Sequence, residues 1–94
     1  MHFDGIVFVK DKSVDLVLED HQDKFDYYEI SSTPIDTDKL SCYIDLDGRW
    51  HNLNRKSESN LEQYMKDVKN EAKEISIYKI NFHFYYTNEH RNNK

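Results

Sequence analysis

The sequence predicts an α+β fold: two layers, a mainly antiparallel sheet of four to six strands with one amphipathic helix packed on one face, in the order β-β-β-β-β-α-β. Three observations predict it. Apolar residues alternate from Leu40 to Leu46 ahead of an Asp47-Gly48 turn, they recur at helical spacing from Leu61, and they alternate again from Tyr78 to Tyr86. A chain of 94 residues has the size of one domain with one modest core, here read as residues 1–87, with 88–94 as a frayed tail lacking apolar side chains.

The elements follow in order. Phe3 to Lys10 is dense in β-formers, Lys10 to Ser13 is polar, and Val14, Leu16 and Leu18 alternate with Asp15, Val17 and Glu19, a pattern that predicts a β-hairpin. Asp20 to Lys24 reads as a loop and Phe25 to Ile30 as a third strand. The Ser31 to Pro34 segment breaks the pattern, because proline cannot donate to a central ladder.

Leu40, Cys42, Ile44 and Leu46 alternate with Ser41, Tyr43, Asp45 and Asp47, and Gly48 suits a positive φ before Arg49 to Asn54. Two registers compete for this hairpin. A two-residue turn pairs Ile44 with His51 and leaves Trp50 beside Asp45 on the polar face. A three-residue loop of Leu46, Asp47 and Gly48, with Gly48 left-handed in a bulge, pairs Ile44 with Trp50, Asp45 with Arg49 and Tyr43 with His51. The second register is preferred because each pair is chemically matched.

Leu61, Tyr64, Met65, Val68, Ala72 and Ile75 form one continuous apolar stripe, and Ser59 with Glu62 makes an S-x-x-E capping box. The helix is therefore expected over about 59–75. Tyr78, Ile80, Phe82, Phe84 and Tyr86 then alternate with Lys79, Asn81, His83 and Tyr85, a long strand whose apolar face is expected to meet the helical stripe.

Charge divides along the chain. Residues 1–47 hold twelve Asp/Glu against four Lys/Arg, and 48–94 hold six against nine. The halves carry −8 and +3, summing to the −5 of the whole. A field of this kind speeds encounters with oppositely charged partners. Nothing resembles a signal peptide or an apolar run long enough for a membrane span, and one cysteine makes no internal disulfide. The protein is expected to be cytoplasmic, without membrane contact.

The candidates for chemistry are weak. Cys42 lies on an alternating apolar face, where cysteine acts as a small hydrophobe. Ile44 to Gly48 superficially resembles the nucleophile loop of haloacid-dehalogenase-like phosphatases, yet that family requires a parallel doubly wound domain and Arg49 stands where it carries Thr or Val; a hairpin turn is the better reading. An EF-hand reading leaves too few oxygen ligands, with Tyr43 first and Asn54 twelfth. His2, His21, His51, His83 and His90 show no metal-ligand spacing, and Gly5 and Gly48 lie too far apart for a phosphate loop. No catalytic residue, metal or cofactor is expected.

Acidic residues interleaved with tyrosines carry more weight. Asp15, Glu19, Asp20, Asp23, Asp26, Tyr27, Tyr28 and Glu29, followed by Asp36 and Asp38, are the candidate partner-binding residues; with Tyr43, Asp45 and Asp47 they compose a surface able to imitate a phosphate backbone or to dock on a basic protein. The opposite reading, nucleic-acid contact by Lys66, Lys69, Lys73, Lys79, Arg91 and Lys94 near Tyr78 and Tyr85, is inferior for a negatively charged chain. The sequence thus favours a small acidic protein-binding module, an inhibitor or antagonist of a basic partner such as a nucleic-acid enzyme. Scarce Ala and Gly beside abundant Lys, Asn, Ile and Tyr suggest a phage or bacterial gene. The first alternative is a structural or homo-oligomeric accessory domain whose last strand pairs or packs with a copy of itself, as in a homodimer; the second is an unrecognised small enzyme or ligand binder.

Overall fold

A five-stranded mixed sheet organises the chain, seen in a computed structural model that describes residues 1–53, 58–71 and 74–85. In chain order the elements are β1 (His2–Lys10), α1 (Val14–Glu19), β2 (Tyr27–Ser31), β3 (Cys42–Ile44), β4 (Trp50–Asn52), α2 (Glu58–Glu71) and β5 (Ile75–His83), with 3-10 turns at Gln22–Lys24 and Thr37–Lys39. The strand order is β2-β5-β1-β3-β4. The α+β class therefore holds, with parallel pairing between β1 and β3 and antiparallel pairing elsewhere.

The largest departure from expectation is at residues 14–19, which form helix α1 and not the second strand of a hairpin. Val14, Val17 and Leu18 are buried at helical spacing while Leu16 is 63% exposed, and the Ser13 side chain caps the helix by accepting from the Asp15 amide at 3.2 Å. Six residues fit both periods; the cap decides for the helix. Since β2 and β1 are each antiparallel to β5, they run parallel to each other. The segment between them is a crossover along one face of the sheet.

A second crossover covers the other face. β4 is antiparallel to β3, which is parallel to β1, which is antiparallel to β5; β4 and β5 are thus parallel, joined through α2. Val7, Val9, Cys42, Ile44, Ile80 and Phe82 pack with Val14, Val17, Leu18 and Phe25 on the α1 face, and Ile6, Phe8, Leu40 and Tyr43 pack with Leu61 and Val68 on the α2 face. The central strand β1 is apolar on both faces because both are covered.

This corrects the expected partner of β5. Its side chains Tyr78, Ile80 and Phe82 meet α1 and Phe25, whereas Ile75 and Ile77 face α2. Ile75 begins β5 and does not end the helix. Ser59 falls inside the first turn of α2 and not at its cap. Ala72, Tyr86 and the expected tail lie outside the described residues.

The β3–β4 hairpin adopts the preferred register, with Asn54 outside the described residues. Ile44 pairs with Trp50 and Tyr43 with His51, the Asp45 amide donates to the Arg49 carbonyl at 3.0 Å, and Gly48 has φ +84°. Gly5 serves a different purpose: a Cβ there would stand 2.5 Å from Cys42 Sγ and 2.9 Å from Phe82 Cε2, so the parallel β1–β3 contact requires its bare backbone.

Candidate functional site

The crossover from α1 to β2 carries five of the twelve carboxylates of residues 1–47. Asp15 and Glu19 lie on α1, Asp20 follows it, Asp23 lies in the first 3-10 turn and Asp26 immediately precedes β2; all five are exposed. Helix spacing explains the arrangement: with Val14, Val17 and Leu18 turned to the sheet, the positions between them face water.

Between α1 and β2 lies an open groove of about 510 Å³, lined among others by Leu18, Glu19, Gln22, Phe25, Asp26 and Tyr28. Leu18 and Phe25 are buried and Tyr28 is half-buried. The Phe25 and Tyr28 rings meet edge to face, 5.7 Å apart at 87°. The Tyr28 hydroxyl donates to Asp15. That bond, then burial, then the charges of Asp15 and Glu19 push the phenol up to about 12. It stays protonated, and its ring is held.

Tyr27 and Tyr28 are adjacent in a strand and so project to opposite faces. Tyr27 also lines the groove, and its ring stacks on His83 across the sheet, 4.3 Å apart at 5°, and meets Tyr85 at 5.6 Å. His83 also approaches His2 at 5.8 Å, giving a row of rings across β2, β5 and β1. Glu29 Oε1 lies 2.7 Å from His83 Nε2, but the atoms are not aligned as a hydrogen bond.

The remaining candidates are dispersed. Asp20 borders a separate cleft of about 270 Å³ with Asp47 and Lys12, and Asp23 stands 3.9 Å from Lys24. Asp36 accepts the Asp38 amide at 3.1 Å, capping the second 3-10 turn, and that turn packs near α2. The ten expected residues therefore do not share one patch: Glu19, Asp26, Tyr27 and Tyr28 line the groove with Asp15 bonded to Tyr28, Glu29 joins Tyr27 at the ring row, Asp20 borders the separate cleft, Asp23 stands beside Lys24, and Asp36 and Asp38 cap the second 3-10 turn.

Asp45 and Tyr43 take structural parts. Asp45 Oδ1 accepts the Asp47 and Arg49 amides at 2.9 and 3.0 Å, and Oδ2 contacts His51 Nε2 at 2.7 Å. Burial raises the Asp45 carboxyl, but the His51 and backbone hydrogen bonds together hold it below the ordinary carboxylate value. Tyr43 stacks on His51 at 4.5 Å and 11°, and the Tyr64 hydroxyl receives the Leu46 amide at 2.9 Å. Both oxygens of the carboxylate that resembled a phosphatase nucleophile are thus occupied in closing a turn. Cys42 is buried, and burial followed by the Asp4 charge pushes its thiol up to about 12, a state with no useful thiolate at neutral pH.

Among the basic candidates, Lys79 is engaged: its Nζ donates to Thr33 Oγ1 at 2.7 Å and to the Pro34 carbonyl at 3.2 Å, pinning the loop after β2. Lys73, Arg91 and Lys94 lie outside the described residues, as does His90. Sequence reasoning missed two features, the ring row and the second aromatic groove of Phe3, Cys42 and Trp50. The row was recoverable only by pairing β2 with β5.

Among the described residues, no group of three or more His, Cys, Asp or Glu side chains is arranged to hold a metal ion, and no helix is long and apolar enough to cross a membrane. No protein-family model, curated protein or solved structure matches this chain.

Proposed function

We propose that this chain is a small acidic protein-binding module, a phage or bacterial inhibitor that acts in the cytoplasm on a basic partner such as a nucleic-acid enzyme. The observation that carries this reading is the placement of Asp15, Glu19, Asp20, Asp23 and Asp26 along one exposed crossover beside an aromatic groove. Carboxylates spaced along such a segment meet a phosphate-binding surface with complementary potential.

Self-association through the last strand is the weaker reading. β5 lies between β2 and β1, so both its edges are used, and a copy would have to pair with β2 or β4. On β2, a two-fold pairing centred on Glu29 would set two carboxylates opposite each other, which is unfavourable.

Capture from a bacterial extract tests the proposal. The immobilised chain is expected to retain a basic protein at low salt and release it at high salt, because screening weakens contacts between exposed charges. Retention of no protein at low salt, or of an acidic one insensitive to salt, would overturn the reading.

A further inference from the structure

We propose that the groove between α1 and β2 is a pocket for an arginine side chain of the basic partner, an inference that rests on the acidic-module reading above. A guanidinium group is planar, weakly hydrated and always charged; it stacks on aromatic rings and forks onto carboxylates, whereas a lysine ammonium is a strongly hydrated point charge. The groove offers the matching walls. Half-buried Tyr28 supplies aromatic surface above a floor closed by the buried Leu18 and Phe25, exposed Glu19 supplies a carboxylate, Asp26, which also accepts the Tyr85 amide, adds a second, and Gln22 adds an amide oxygen. Its volume of about 510 Å³ lies within the usual range of roughly 300–1,000 Å³ for sites that enclose small groups.

The other two grooves lack this combination. The one beside Trp50 has no carboxylate and includes Lys24, whose Nζ already sits 5.6 Å from the Trp50 ring centroid. The cleft of Asp20 and Asp47 has Lys12 in its wall and no aromatic ring. Of these three grooves among the described residues, the α1–β2 groove alone joins carboxylates to aromatic surface without a lining cation. Its Tyr28 wall is held by the bond to Asp15, so little ordering of this ring is needed on binding.

Fluorescence anisotropy with oligoarginine and oligolysine peptides of equal length, titrated with the full chain at low salt, tests the assignment. Oligoarginine is expected to bind about five- to tenfold more tightly, the range a partly desolvated cation–π contact supplies. Glu19→Gln, an exposed change that leaves the core untouched, is expected to weaken oligoarginine more than oligolysine, and Tyr28→Leu to bring the two affinities together. Equal binding of both peptides by the unaltered chain would overturn the arginine pocket and leave the acidic module standing. Binding of neither peptide, or of a single-stranded oligonucleotide in their place, would overturn both.

Discussion

His51 Nε2 stands 2.7 Å from one oxygen of Asp45 across the β3–β4 hairpin, while the other oxygen receives the amides of Asp47 and Arg49. One carboxylate thereby fixes the turn and the register. Its charged form makes these bonds, and its folded pKa is lowered relative to the free value. A lowered carboxylate pKa contributes stability above the unfolded value, and that contribution is lost as pH falls through the folded one. Asp45→Asn is expected to cost about 1–2 kcal/mol at neutral pH, with the gap from wild type narrowing as pH drops below the ordinary carboxylate range. Urea unfolding at the two pH values checks this; a gap that stays constant would show that the charge is not what holds the turn.

Gly5 sets the distance between β1 and β3. Gly5→Ala is expected to destabilise the fold by about 1–3 kcal/mol through overpacking, since its Cβ would meet the Cys42 sulfur at 2.5 Å and the Phe82 ring at 2.9 Å. Adding Cys42→Ala should recover part of the loss, because the nearest clash is with the sulfur and contacting residues are not additive. Denaturation of the two single variants and the double variant measures the coupling; strict additivity would mean that the strand pair relaxes elsewhere.

Residues 14–19 distinguish helix from strand by their tolerance. Leu16 is 63% exposed and Leu18 fully buried, so Leu16→Lys should change stability by no more than about 0.5 kcal/mol, whereas Leu18→Ala should cost about 2–5 kcal/mol. Thermal unfolding compares them. In the hairpin that strict alternation suggests, both leucines would be on the buried face and Leu16→Lys would be severe.

The contrast between these segments explains what the sequence can convey. The 40–54 hairpin was legible to the residue pair because Gly48 fixes the turn type and only one register matches Tyr43 with His51 and Ile44 with Trp50. The α2 stripe was legible because it spans several turns. Val14 to Glu19 was not, as six residues satisfy both periods and the Ser13 cap is a single weak signal. The pairing of β5 with β1 and β2 depends on contacts far apart in the chain, so neither its apolar partner nor the Tyr27–His83 stack could be read locally. For the same reason sequence nearness grouped Tyr27 with Tyr28, which strand geometry separates, and grouped Asp36 and Asp38 with carboxylates on another side.

The most direct test of the account reverses three exposed charges together, Glu19→Lys, Asp20→Lys and Asp23→Lys, sparing Asp15 and Asp26, which bond to Tyr28 and to the Tyr85 amide. Affinity for the captured basic partner should fall by more than about tenfold, the cost of losing several steering and pairing charges, with the unfolding temperature nearly unchanged. Unaltered affinity in a folded triple variant would contradict the claim that the α1–β2 crossover is the binding surface.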